Sequence, residues 1–388
     1  MNKTTIAQCI EGTRPQPFIS DQAAYLNRYC SIVLTRHGIY QPGWNDTPIV
    51  TAYPTGHRFL RSTFNRVGDI YGVPGDFSSA IKKYAPRLLH AHHGMFALDF
   101  LALKRKMGLP LIVSFYGFDA SGFPNSSPEN SSKLRQLFKD AALIVAMSTD
   151  MKNDLQYWGC PVEKIVIHRT GVDLERFRYR PPLELRSRTI LLCVCDYSPK
   201  KGVLELLAAF KLAFEEFKHL QLRIVGSPIT IAKEEYGRAL EYIEHNGLTN
   251  NVTLVPRVDY FQIPEEYQQA DLFILPSVTA PDGSKEGVPA VLMEAQSTGL
   301  PVISTYHAGI SEVVLDGKSG YLVKEHDVIS LASSICQLLN EREKWEAFGR
   351  CGREWMEKEF DIWQSRQDLE RIYDLVVGNR PNPVKNIL

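Results

Sequence analysis

The sequence predicts an α/β protein made of two doubly wound, parallel-sheet (Rossmann-like) domains. Three observations carry that expectation. Short apolar runs alternate with longer amphipathic segments from one end of the chain to the other, a pattern that places parallel strands between two layers of helix. The length, 388 residues, favours two domains over one. A charged, proline-bearing stretch that opens Arg178-Tyr179-Arg180-Pro181-Pro182 and runs to Arg188 separates two alternating blocks, as a linker does.

Taken in order, the first block has strands at residues 5–10, 31–36, 87–93, 109–115, 142–148 and 164–168. Its helices fall at 18–29, 95–107, 131–140 and 149–157. Residues 41–75, rich in Pro and Gly, receive no element. The second block has strands at 189–195, 221–225, 252–255, 271–275 and 301–304, with a short one at 321–323. Helices are expected at 202–217, 231–245, 289–298, 328–340 and 343–359. A last helical segment, 362–376, is expected to pack back on the first domain. The domains are therefore placed at 1–180 and 181–361, with 362–388 as a returning C-terminal segment. Doubly wound sheets bind ligands outside the carboxyl ends of their strands, so a cleft between the two sets of strand ends is the expected site.

Composition narrows the function. Hydrophobic residues make up 44% of the chain, enough for two cores, and 44 Lys and Arg balance 44 Asp and Glu. That balance speaks for neither a nucleic-acid partner nor an acidic tail. The seven cysteines (9, 30, 160, 193, 195, 336 and 351) are odd in number, and the one close pair, Cys193 and Cys195, lies in an apolar run. This usage fits a reducing cytoplasm and a core strand better than a disulfide framework or a metal site. The opening residues carry no charged-then-apolar leader, and no apolar run reaches about 18 residues, so neither a signal peptide nor a membrane-spanning helix is expected. No G-x-G-x-x-G follows a strand, which disfavours dinucleotide oxidoreduction.

The most informative stretch is Ser284-Lys285-Glu286-Gly287-Val288-Pro289-Ala290-Val291-Leu292-Met293-Glu294-Ala295. It follows the buried strand at 271–275 and so belongs at the strand-end site. Pro289 suits the first helical position, where its missing N–H costs nothing. The amides of Ala290 and Val291 are then without intrahelical partners and can bind an anion such as phosphate. Glu294, four residues after Ala290, shares its helix face, and Gly299 with Pro301 supplies the stop. A carboxylate accepts two hydrogen bonds from neighbouring sugar hydroxyls. Two of them, Glu286 and Glu294, flanking a phosphate site suit a nucleotide sugar. His90-Ala91-His92-His93 looks metal-ligating at first sight, but no partner carboxylate motif accompanies it. A strand-end role, with His93 as an acceptor-side contact, is favoured. No D-x-D is present, so no metal and no cofactor is expected. Lys104-Arg105-Lys106 ends a helix, where a solvated basic face is favoured over weak contact with an anionic membrane.

These motifs, in order and spacing, resemble those of family-4 glycosyltransferases of the GT-B fold, in which two such domains face a cleft. The matching pieces are Glu286 with Glu294, Gly299-Leu300-Pro301, Ser311-Glu312-Val313-Val314, Gly171-Val172-Asp173 and Lys200-Lys201-Gly202. Pro276-Ser277-Val278-Thr279-Ala280-Pro281-Asp282-Gly283 is similar to the colanic-acid and amylovoran exopolysaccharide enzymes; antibiotic-pathway glycosyltransferases are related too. The resemblance implies retaining transfer from a nucleotide-diphospho-sugar, UDP being the commonest base, to a glycan, lipid-linked saccharide or small polar aglycone. It implies that Glu286, with the Gly287 and Val288 amides, holds the donor sugar, that Glu294 holds the ribose, and that Ala290, Val291 and Lys201 face the diphosphate. The leaving phosphate then takes the acceptor's proton, stabilised by the helix start and the lysine.

Two positions depart from the family pattern. Asp196 stands where an arginine is usual, five residues before Lys201, and Arg257 is a replacement candidate. Tyr116 stands where a histidine is common, with Asp119 able to take the role in a shifted register. These departures keep two alternatives open: a nucleotide-sugar-binding regulator with weakened catalysis, and a nucleotide-sugar epimerase.

Overall fold

The computed structural model describes residues 3–11, 17–35, 44, 46–51, 77–184, 187–228 and 232–378. Most of the unassigned 41–75 stretch and the expected helix start at Ile231 lie outside the described residues. The chain forms two compact units, Met1–Gly171 with Ile362–Leu388, and Val172–Asp361.

The first unit holds β1 (Thr4–Cys9), β2 (Tyr29–Thr35), β3 (Ile49–Thr51), β4 (Leu88–His92), β5 (Leu111–Ser114), β6 (Leu143–Ala146) and β7 (Ile165–Ile167). They form one parallel sheet in the order β3-β2-β1-β4-β5-β6-β7. Strands β4, β5 and β6 are buried at every position, as parallel strands covered on both faces must be. Helix 149–157 starts where Ser148 caps it, its side chain accepting from the Met151 amide. The 131–140 helix begins earlier, at Pro128, because Ser127 caps it and Pro128 fills the first turn. Two expectations need correcting. The helix at 18–29 is only Pro17–Ala23, since Tyr29 already opens β2. The helix at 95–107 is broken into Gly94–Ala97, a tighter turn at Leu98–Phe100, and Leu101–Met107. The Ser78–Tyr84 helix had no sequence signal assigned to it.

The second unit holds β8 (Thr189–Val194), β9 (Leu220–Val225), β10 (Val252–Val255), β11 (Leu272–Leu275), β12 (Val302–Thr305) and β13 (Gly320–Val323), in the parallel order β10-β9-β8-β11-β12-β13. Chain order runs outward from β8 on one side and from β11 on the other. The carboxyl ends of β8 and β11 therefore flank the switch point where doubly wound sheets bind ligands. The unit starts at Val172 rather than in the 178–188 linker, because Val172 N donates to Phe360 O at 2.8 Å and Phe177 is buried in this unit's core. The Ile362–Val377 helix joins the first unit through polar contacts: His168 Nε2 lies 2.9 Å from Ser365 O, and Arg28 bonds both Glu370 and Asp374.

Candidate functional site

Two loops meet at the switch point of the second sheet. The first follows β8. Asp196 Oδ1 accepts from Ser198 N at 3.0 Å and Ser198 Oγ at 2.7 Å, closing a turn that leads into Pro199–Lys201. Gly202 comes next with φ +65°, and a Cβ there would collide with the Pro276 carbonyl oxygen. Glycine is thus required for the Lys200–Lys201 turn to press against the end of β11. The second loop follows β11 and carries Glu286.

Their side chains form an ion pair, Lys201 Nζ to Glu286 Oε1 at 2.8 Å, with Lys200 Nζ at 3.5 Å from the same oxygen. Burial alone would raise the Glu286 pKa, but the two ammonium charges overcome it and hold the carboxyl at about 2. Burial likewise works against the Lys201 charge, and Glu286 and Asp196 reverse it, so this lysine is raised above its ordinary value. Glu286 Oε1 is buried, and its close partners are the two ammonium groups, Lys201 at 2.8 Å and Lys200 at 3.5 Å. Asp196, at the family's arginine position, is in this structure a turn former that also faces Lys201 electrostatically.

The following helix is Ala290–Ser297, with Pro289 at the N-cap rather than inside the first turn. The Leu292 amide turns back to Pro289 O at 3.1 Å, so the Ala290 and Val291 amides precede the helical ladder. No acidic residue occupies that first turn. Glu294 is buried, and Tyr267 donates to its Oε2 at 2.7 Å. Burial first, then the Glu294 charge, raises the Tyr267 phenol, which keeps it a proton donor. Gly287 O accepts from Gly309 N at 3.2 Å, and Val288 is half-buried. The structure joins Lys201 to Glu286, and Gly287, Val288, Ala290, Val291 and Glu294 follow Glu286 along the same loop and helix. Arg257 is exposed, and its amide bonds Ser227 Oγ.

The first unit carries the other candidates at the carboxyl ends of β4 and β5. Asp119 is buried, and its carboxylate accepts from the amides of Tyr116 (2.9 Å), Gly117 (3.0 Å) and Gly94 (2.8 Å). It therefore fastens the β4 and β5 loops together. The Tyr116 hydroxyl is turned inward onto His92 Nδ1 at 2.7 Å. Ser31 spends its proton on Ala23 O, so Gln8 Nε2 must donate to Ser31 Oγ. Gln8 Oε1 then accepts from His92 Nε2 at 3.0 Å, which makes His92 Nδ1 an acceptor and Tyr116 the donor. In this arrangement the phenol proton is directed into the core, onto His92. His90 is similarly tied, to Tyr373 and Ser114, so the His90–His92 pair is a buried polar core. Burial, then His168, pushes His90 down to about 3, and burial lowers His92 as well. His93 is the more exposed of the three, with φ +68° and Nδ1 3.8 Å from Asp119 Oδ2. Among the described residues no group of three or more His, Cys, Asp or Glu is placed to hold a metal ion.

Residues missed by sequence reasoning are His307, Glu325 and Tyr267. In the Lys104-Arg105-Lys106 run, Asp140 pairs with Arg105 at 2.6 Å and with Lys104 at 3.9 Å. No described helix is long and apolar enough to cross a membrane.

Two units, each built on a parallel sheet, with a lysine–glutamate pair and an uncapped helix start at the switch point of the second, give the chain the GT-B fold. Comparison with known proteins agrees. The model described as Glycosyltransferase Family 4 matches residues 36–176, and that described as Glycosyl transferases group 1 matches residues 175–355. WcaL of Escherichia coli K12, named for colanic acid biosynthesis, is 35% identical over 224 residues, 57% of this chain and 53% of that protein. The amylovoran biosynthesis glycosyltransferase AmsK of Erwinia amylovora is 30% identical over 269 residues, 69% of this chain and 64% of its own. The match to WcaL thus spans about half of that relative's length. Anabaena HepE, solved in complex with UDP-glucose, superposes with a TM-score of 0.76 at 17% identity over 95% of this chain and 99% of its own. Both halves of the chain thus match glycosyltransferase models, residues 36–176 that of family 4 and residues 175–355 that of group 1.

Proposed function

We propose that this protein moves a sugar from a nucleotide-diphospho-sugar to an acceptor hydroxyl with retention of anomeric configuration, and that it needs no metal. The observation that carries the reading is the Lys201–Glu286 pair at the switch point, next to the Ala290–Ser297 helix start. A diphosphate at the Ala290 and Val291 amides gains from unpartnered N–H groups and the helix dipole. Lys201, released from Glu286 by the arriving anion, swings to the phosphate oxygens. Glu286 then accepts hydroxyls of the donor sugar, and Glu294, held from behind by Tyr267, takes the ribose diol.

In the chemical step the acceptor oxygen forms its bond to the anomeric carbon as the bond to the diphosphate oxygen breaks. The electron pair goes to the leaving diphosphate, and the acceptor's proton follows to a phosphate oxygen on the same face. No protein base is required. The charge that grows on the leaving group is what Lys201 and the helix start stabilise. In the first unit, Asp119 shapes the strand-end loops and His93 is the proposed acceptor contact. Names of the relatives favour a saccharide acceptor of exopolysaccharide assembly, and the UDP-glucose complex of HepE favours a UDP-sugar.

The test is a thermal-shift panel of UDP- and GDP-sugars on the purified protein, since a ligand that binds only the folded state raises Tm. The active donor is then followed for transfer to saccharide acceptors. A rise with one nucleotide sugar, and transfer with retention, is expected. A flat response across the panel removes the reading.

A further inference from the structure

Glu286 is positioned by a relay that runs through three strand-end loops. Its backbone amide donates to His307 Nε2 at 3.0 Å. His307 is fully buried and follows β12. Since Nε2 accepts, the ring proton must be on Nδ1, which faces Glu325 Oε1 at 2.7 Å in the loop after β13. Glu325 Oε2 in turn accepts the amide of Thr279 at 2.6 Å, back in the loop after β11 that carries Glu286. One residue on from Glu286, the Gly287 carbonyl accepts from Gly309 N, so the same β12 loop grips this backbone at the peptides on either side of the Glu286–Gly287 peptide.

We propose that His307 and Glu325 are positioning residues for the donor sugar: the relay Thr279–Glu325–His307 fixes the Lys285–Glu286 peptide, and with it the direction of the Glu286 carboxylate. This rests on the donor reading above and names what sets its geometry. The ring acts as a rigid spacer that reads a carboxylate on one side and presents an acceptor on the other, so it works only in the neutral Nδ1–H form. The sequence separations, 21 residues from Glu286 to His307 and 18 from His307 to Glu325, are bridged only because β11, β12 and β13 are neighbours in the sheet.

The relay makes separable demands on two substitutions. The carboxamide oxygen of His307→Gln reaches the place of Nε2, and that of His307→Asn does not. With UDP-glucose, or whichever UDP- or GDP-sugar the wild type turns over, His307→Asn is expected to lower kcat/KM by about 10- to 100-fold, the scale of a small misplacement of a reacting group. His307→Gln is expected to recover most of it. Binding of the sugar-free nucleoside diphosphate is expected to stay within about threefold in both, because the helix start and Glu294 hold that part. Hydrogen exchange of the 284–289 backbone is expected to speed up in His307→Asn and Glu325→Leu, and it reads the relay without any substrate. Equal losses in the Asn and Gln variants, loss of nucleoside diphosphate binding together with sugar transfer, or unchanged exchange of 284–289 would overturn the proposal. If His307→Asn fails to fold, exchange and kinetics of His307→Gln and Glu325→Leu decide it. A wild type that turns over no nucleotide sugar while its exchange responds to the substitutions would sink the donor reading and leave the relay as a purely structural device.

Discussion

Lys201 Nζ stands 2.8 Å from Glu286 Oε1, with both side chains mostly withdrawn from water. Each charge is tolerated there because of the other, with Asp196 and Lys200 as secondary partners. A pair held this way is a store of charge that an incoming diphosphate can divide, the lysine going to phosphate and the carboxylate to sugar.

Glu286→Ala is therefore expected to reduce transfer by at least about a thousandfold, losing sugar orientation and the partner that keeps Lys201 in place. The second unit should be weakened by about 3 kcal/mol, the usual scale for breaking a buried ion pair, and stay folded because Asp196 still faces Lys201. Steady-state kinetics and circular dichroism check both halves. Near-normal transfer would remove Glu286 from the site.

The two units should respond differently to acid. The folded His90 pKa of about 3 lies below the ordinary 6.5, so below pH 6.5 the unfolded chain gains a proton that the folded one refuses. First-unit stability should be present above 6.5 and lost progressively as pH falls toward 3. Glu286, at about 2 against 4.5, keeps its contribution to the second unit down to about pH 4.5 and loses it toward pH 2. Hydrogen exchange should therefore report opening of Leu88–His92 at higher pH than opening of Ala290–Ser297. The reverse order would contradict the wiring of the histidine core.

Tyr116→Phe tests the inward phenol. Removing the hydroxyl leaves His92 Nδ1 buried without its donor, which should cost about 1–3 kcal/mol, with a loss in kcat of less than about tenfold. A hundredfold fall in kcat at unchanged stability would mean that the hydroxyl acts on substrate instead.

Tyr267→Phe should loosen Glu294. Nucleoside diphosphate binding is expected to weaken by about 3- to 10-fold, the net value of one typical hydrogen bond, whereas deoxyribonucleoside diphosphates lacking the ribose 2′-hydroxyl should lose less. Titration calorimetry with UDP and 2′-deoxy-UDP separates a ribose effect from a general loss of the helix.

The two-sheet plan and the approximate strands were legible because parallel strands buried on both faces leave unmistakable apolar runs, as at Ile190–Val194 in β8 and 272–275 in β11. Caps were legible where a Ser precedes a helix, as at Ser148. Glu286, Glu294 and Lys201 were legible as types at a spacing. Their partners were not. His307 and Glu325 reach Glu286 only through sheet order, and Tyr267 lies 27 residues before Glu294. Asp119 looked chemical because a carboxylate in a strand-end loop has two uses, and only geometry shows three amides around it. The inward turn of Tyr116 was illegible for the same reason: a side chain's direction depends on a hydrogen-bond chain that starts at Ser31, 85 residues away in sequence.

The most direct measurement is a crystal structure grown with UDP-glucose or with the panel's strongest nucleotide sugar. The diphosphate should lie on the Ala290 and Val291 amides with Lys201 moved from Glu286 onto it, the ribose on Glu294 and the sugar on Glu286. A donor bound elsewhere, or Lys201 and Glu286 still paired beside a fully occupied nucleotide, would contradict the account.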